Sequence, residues 1–117
     1  MEALIKALNN TRAGFDHALR TERAVRQEAI ALLMCIPLAL IIGAGAWQRL
    51  AMIASIVIVI AIELLNTCAE KLCDHVTPER HPQIKVVKDM GSAAVFCALV
   101  VAAMIWLAAL AERVGVF

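Results

Sequence analysis

The residues Leu50 to Val76, LAMIASIVIVIAIELLNTCAEKLCDHV, decide the fold. Their first half, Leu50 to Ile62, has no charged residue and reads as a membrane-embedded helix. The second half turns polar with no Pro or Gly to stop it. On a helix turning ~100° per residue, Glu63, Asn66, Glu70 and Asp74 fall at about 0°, −60°, −20° and +20° and share one stripe. With Leu50 at the far edge of the hydrocarbon, a rise of ~1.5 Å per residue puts Glu63 roughly 20 Å into a core ~30 Å thick, and Asp74 beyond it. A carboxylate at that depth costs on the order of a few kcal/mol unless it is protonated, paired or bound to metal. The acidic seam is therefore a candidate functional site.

Composition agrees with a bilayer. At 117 residues, 62% of them hydrophobic and with a mean hydropathy of +0.81, the chain is one small domain too apolar for an ordinary soluble protein. A net charge of +1 and few aromatic residues give no reason to expect nucleic acid as a partner. Cys35, Cys68, Cys73 and Cys97 lie in or beside apolar helical stretches without a CxxC pair, and read as reduced packing residues. The first 28 residues carry charge throughout, which does not fit a cleavable signal and leaves targeting to the first span.

Outward from the seam, Met1 to Glu28 reads as an amphipathic surface helix. Leu4, Leu8, Phe15 and Leu19 line one face, Lys6, Arg12, Arg20, Arg23 and Arg26 make the rest basic, and Gly14 is a candidate break. Residues 29–47 form a first span containing Pro37, and Gly43 to Arg49 a tight turn with Trp47 at the interface. Residues 50–74 are the second span. A loop from Thr77 to Val87 follows, with Pro78 and Pro82 as helix terminators, and residues 90–111 are the third span. The expected fold is an all-α membrane protein forming one domain over residues 1–117. Three spans shield the Glu63 seam poorly, which favours an oligomer over a monomer.

Cations set the expected orientation. Lys6, Arg12, Arg20, Arg23 and Arg26 precede the first span, Lys71, Arg80, Lys85 and Lys88 lie between the second and third, and only Arg49 and Arg113 fall on the other side. The positive-inside rule puts the N-terminus in the cytoplasm and the C-terminus outside. Glu70, Asp74, Lys88 and Asp89 then share the cytoplasmic interface. Acids with Lys and Arg there suit Mg²⁺ bound together with a polyphosphate, Lys88 neutralising charge on a transferring phosphoryl group. The deeper Glu63 is where a base is needed if the acceptor hydroxyl belongs to a lipid, and Asn66, one turn away, can hold it by a hydrogen bond.

A purely structural reading stands beside this one, because buried polar residues also serve as interhelical hydrogen-bonding glue. Glu22 and Arg26, in ERAVRQE (Glu22 to Glu28), are either part of a site or an i,i+4 surface ion pair. No Walker loop or kinase Gly-rich loop occurs. His17, His75 and His81 lack metal-ligand spacing and read as solvated interface residues. Gly91, Ala94, Ala98 and Ala102 form a small-residue packing stripe on the third span.

The blocks ERAVRQE, IELLNTCAEKLCD (Ile62 to Asp74) and KDMGSAAV (Lys88 to Val95) resemble, in sequence and in mutual spacing, those of the prokaryotic integral-membrane diacylglycerol kinases. The resemblance implies a homotrimer in the bacterial inner membrane with sites between subunits, transferring the γ-phosphate of MgATP to diacylglycerol to give phosphatidic acid. It implies Glu63 as proton acceptor with Asn66 orienting it, Glu22 and Glu70 as metal-binding carboxylates, and Lys88 and Asp89 as nucleotide contacts. By the same resemblance Glu79 to His81 line the adenosine side and Asp74 faces the nucleotide. Arg26 and Glu28 of the RQE block and Ser92 fall on the lipid side. Ala3 stands where the family carries an arginine, with Lys6 and Arg12 the cations nearby. Undecaprenol, the acceptor of related enzymes, is the alternative substrate; a non-enzymatic ion-conducting oligomer using the Glu63 seam is the alternative of another class.

Overall fold

A computed structural model describes residues 1–77 and 79–116; Pro78, one of the two expected helix terminators, lies outside the described residues. The order is α1 (Glu2–Thr21), α2 (Arg23–Ile42), α3 (Ala46–Val76) and α4 (Pro82–Arg113), with no strand among the described residues. The three helices α2, α3 and α4 are each long and apolar enough to cross a membrane. The all-helical architecture is the one expected, but the boundaries move.

The first two helices meet at Glu22, not at Glu28, and Gly14 stays inside α1. The residues Arg23 to Glu28 thus form the first turns of α2, because charged residues do not by themselves end a helix. Glu22 takes an extended conformation, its N–H donating to the Ala18 carbonyl at 2.8 Å while its own carbonyl accepts from Arg26 N–H at 3.1 Å. Arg26 then reaches back across the break. Its Nη1 donates to the carbonyls of Leu19 (3.2 Å) and Arg20 (2.9 Å), satisfying the unpaired C-terminal end of α1 with a cation where the helix dipole favours one. Ala18 and Val25 are buried at this junction. On the outer face of α1 Arg20 pairs with Asp16, one turn away, and its guanidinium holds the Asp16 carboxyl below the usual carboxylate range.

Two further boundaries differ. Trp47, Gln48 and Arg49 belong to the first turn of α3, leaving Gly43 to Gly45 as the whole connection. Gly43 is there for close approach: a Cβ would strike the Arg49 side chain and the Ala39 carbonyl. Gln48 fastens the connection, accepting from Ala44 N–H at 2.5 Å and donating to Glu112 Oε2 of α4 at 2.6 Å. Pro82 starts α4 instead of ending α3, since its missing N–H costs nothing at a first helical position. The loop between α3 and α4 therefore runs only from residue 77 to 81.

The core lies where α2, α3 and α4 touch. Ala39, Met52 and Ala109 are almost fully buried, with Ile42, Ile53, Ile105 and Trp106 packed around them. A second cluster joins Val59 of α3 to Ala98 and Ala102 of α4, two members of the small-residue stripe. Lipid tails are as apolar as leucine, so close packing and interhelical hydrogen bonds hold such helices together. Trp106 supplies the latter: its indole N–H donates to the Met52 carbonyl (3.1 Å) and to Ser55 Oγ (3.2 Å). Large apolar side chains on the outer faces, Phe96 and Leu107 among them, are exposed in the single chain.

Candidate active site

The seam on α3 is built as its helical spacing requires. Glu63, Asn66 and Glu70 are half-buried on one side of the helix, while Asp74 is exposed at its end. The antiparallel α4 returns along the same side, so residues fourteen apart in sequence meet: Lys88 Nζ donates to Asp74 Oδ1 at 2.8 Å. Lys88 also lies within electrostatic reach of Glu70. One turn before it, Lys85 pairs with Asp89 at 2.7 Å.

These pairs line one wall of a cleft of about 770 Å³ whose other wall is the short loop, with Thr77, Glu79, Arg80 and His81. His81 also has a structural task. Its Nδ1 accepts from Gln83 N–H at 3.1 Å and caps α4. Asp74, Lys88, Asp89, Glu79 and His81, all expected on the nucleotide side, thus face one opening.

Deeper in, α2 contributes Glu28. It is half-buried and its carboxyl is close enough to Glu63 for their charges to interact; Glu63 in turn stands within electrostatic reach of Glu70. Glu28 and Glu63 thus bring carboxyls of two helices together, with Glu70 further along α3. Glu28 Oε2 and Asn66 Oδ1 are buried with no hydrogen-bond donor among the described residues, an arrangement that folded proteins keep for special purposes. Asn66 donates from Nδ2 to Glu70 Oε1 at 3.4 Å, the partner one turn on, and not to Glu63 as the spacing alone suggested. Its carboxamide is turned by α4, against which Oδ1 abuts at Gly91.

Glu22 does not pair with Arg26. Its Oε1 lies 2.9 Å from Lys71 Nζ, the residue next to Glu70, while Arg26 is engaged in capping α1. A sequence count of cations registers Lys71 only as part of the positive-inside pattern; its contact with Glu22 is a tertiary one, with no fixed helical spacing to reveal it. Ser92, exposed on α4 directly after Gly91, stands apart from these contacts. Among the described residues no three His, Cys, Asp or Glu side chains converge on a point. The carboxylates present nevertheless suit Mg²⁺, which needs only one or two hard oxygen ligands beside phosphate and water, and Glu22 already attracts a cation, the Lys71 ammonium.

Comparison with known proteins supplies the family. The family model for prokaryotic diacylglycerol kinase matches residues 9–110. The chain belongs to the prokaryotic diacylglycerol kinase family. Among similar proteins, the diacylglycerol kinase of Pseudomonas aeruginosa is 39% identical over 106 residues, 91% of this chain and 86% of that protein. Those of Haemophilus influenzae and Escherichia coli are 35% and 36% identical over 103 residues, 88% of this chain and 87% and 84% of theirs. As a member of this kinase family with three apolar spans, the chain is a bacterial membrane enzyme, a lipid kinase that uses ATP.

Proposed function

We propose that this lipid kinase transfers the γ-phosphate of MgATP to the hydroxyl of diacylglycerol, producing phosphatidic acid, with Glu63 as general base. The observation that carries the reading is the run of polar groups along one face of α3: Glu63 meets Glu28 of α2 and is within electrostatic reach of Glu70, and further along the same face Asp74 pairs with Lys88 at the polar cleft. A lipid acceptor keeps its chains in the bilayer and presents its hydroxyl at the depth of Glu63. A nucleotide enters at the cleft beside Asp74, Lys88 and Asp89, with Glu79 and His81 toward its base and sugar.

In the reaction the lipid oxygen attacks the γ-phosphorus, the bond to the β-phosphate oxygen breaks, and the hydroxyl proton passes to the Glu63 carboxylate; ADP leaves. Lys88, drawn from Asp74 toward the phosphates, neutralises charge that builds on the transferring group. Glu22 and Glu70 would hold Mg²⁺, which would supply positive charge to neutralise the polyphosphate. Asn66 orients the seam between these ends, and Glu28 stands beside Glu63 on its lipid side, where the family resemblance also puts Arg26 and Ser92. The half-buried state of Glu63 and Glu70 in a single chain, together with the exposed apolar outer faces, favours an oligomer whose subunits cover the seam, and the family resemblance makes it a homotrimer. The cation count favours a cytoplasmic N-terminus and a periplasmic C-terminus.

Glu63→Gln is nearly isosteric and unable to accept the proton. Its expected effect, read with labelled ATP in diacylglycerol mixed micelles, is a loss of transfer by about two to four orders of magnitude with the oligomer intact. Near-normal turnover would remove Glu63 from its role.

A further inference from the structure

We propose that Gly91 is a positioning residue for the reaction: the missing side chain at this point of α4 forms the seat that fixes the Asn66 carboxamide between the two ends of the seam. A Cβ built at Gly91 would fall on Asn66 Oδ1 and lie 3.2 Å from its Cγ, so the amide rests directly against the α4 backbone. The same Oδ1 is buried and receives no hydrogen bond among the described residues. Packing against Gly91, aided at most by a weak Cα–H···O contact, is thus what sets the oxygen's place. With Oδ1 seated there, Nδ2 is turned to Glu70, 3.4 Å away.

The backbone does not ask for glycine here. Gly91 is helical, and the single positive φ among the described residues is at Gly115. In a helix interior glycine costs about 1 kcal/mol relative to alanine. Along the same stripe Ala94, Ala98 and Ala102 all carry a Cβ, and helix contact at Ala98 and Ala102 is close enough to bury them. Close approach of the helices therefore accepts alanine; the polar neighbour Asn66 distinguishes position 91.

The inference rests on the seam being the reaction site, and the test separates the two. Gly91→Ala is expected to lower kcat by about tenfold to a hundredfold, the scale of a misplacement of roughly 1 Å, while KM for MgATP stays within about twofold. Thermal stability of the variant should hold or rise, because alanine is the better helix former. In the Asn66→Ala background, where the Cβ meets no amide, Gly91→Ala should cost nothing further, the mark of coupling in a double-mutant cycle. A readout independent of turnover comes from protein labelled with ¹⁵N-asparagine, which holds only Asn9, Asn10 and Asn66. The Asn66 side-chain amide signals, assigned by their loss in Asn66→Ala, should shift in Gly91→Ala while those of Asn9 and Asn10 stay. Unmoved Asn66 signals, or an equal loss of kcat in both backgrounds, would overturn the proposal. Full activity of Asn66→Ala would instead remove Asn66 from the reaction and overturn that part of the site itself.

Discussion

The Lys71–Glu22 pair makes a quantitative prediction about metal loading. The ammonium sits 2.9 Å from a carboxylate expected to bind Mg²⁺, so a metal ion that takes Glu22 must displace it. The Lys71 side chain is 49% exposed and that of Glu22 29%, so solvent screens most of the Coulomb attraction, and such pairs are worth about 0.2–1 kcal/mol. Converted at 1.4 kcal/mol per tenfold, Lys71→Met should lower the Mg²⁺ concentration needed for half-maximal rate by about 1.4- to 5-fold. Methionine keeps an apolar stem in place of the lysine's and deletes only the charge. The measurement is a Mg²⁺ titration of phosphorylation at saturating ATP, with Mn²⁺ binding followed by electron paramagnetic resonance in the absence of nucleotide as its counterpart. Because the pair is partly solvated, the difference between wild type and variant should shrink as salt is raised. A variant that needs as much Mg²⁺ as the wild type, or more, would refute the competition between ammonium and metal.

Two other expectations concern the scaffold. Trp106→Phe removes both indole hydrogen bonds to α3 while keeping the aromatic volume, and should lower the unfolding free energy in a detergent titration by about 0.6–1.7 kcal/mol, the range for interhelical hydrogen bonds in membranes; an unchanged midpoint would mean that the bonds are replaced. On α1, an NMR titration should find the Asp16 carboxyl titrating below the ordinary range and returning to it in Arg20→Gln. With the folded value depressed, the pair supports α1 at all pH above the unfolded carboxylate value of about 3.9, and that support is lost as pH falls through the folded value.

Much of this architecture is legible in the sequence. Three uncharged runs demand three spans, and the positions of Glu63, Asn66, Glu70 and Asp74 put them on one stripe whatever the helix packs against. The meeting of Asp74 with Lys88 follows from a short connection between antiparallel helices. The break at Glu22 is harder to read, because Arg23 to Glu28 are good helix residues and the turn is held by Arg26 reaching back across it, a contact of no regular periodicity. Pro82 carries opposite signals, stop and start, and only the length of α4 decides between them. The seat at Gly91 and the Lys71–Glu22 pair depend on the register of one helix against another, which no single-helix pattern contains.

The central claim is that the seam joins MgATP to a diacylglycerol hydroxyl. Its most direct test is phosphate transfer from labelled ATP to a panel of lipid alcohols in mixed micelles, with product identified by chromatography. Labelled phosphatidic acid from diacylglycerol, formed in preference to undecaprenyl phosphate, is the result expected; preference for the isoprenoid, or transfer to neither lipid, would contradict it.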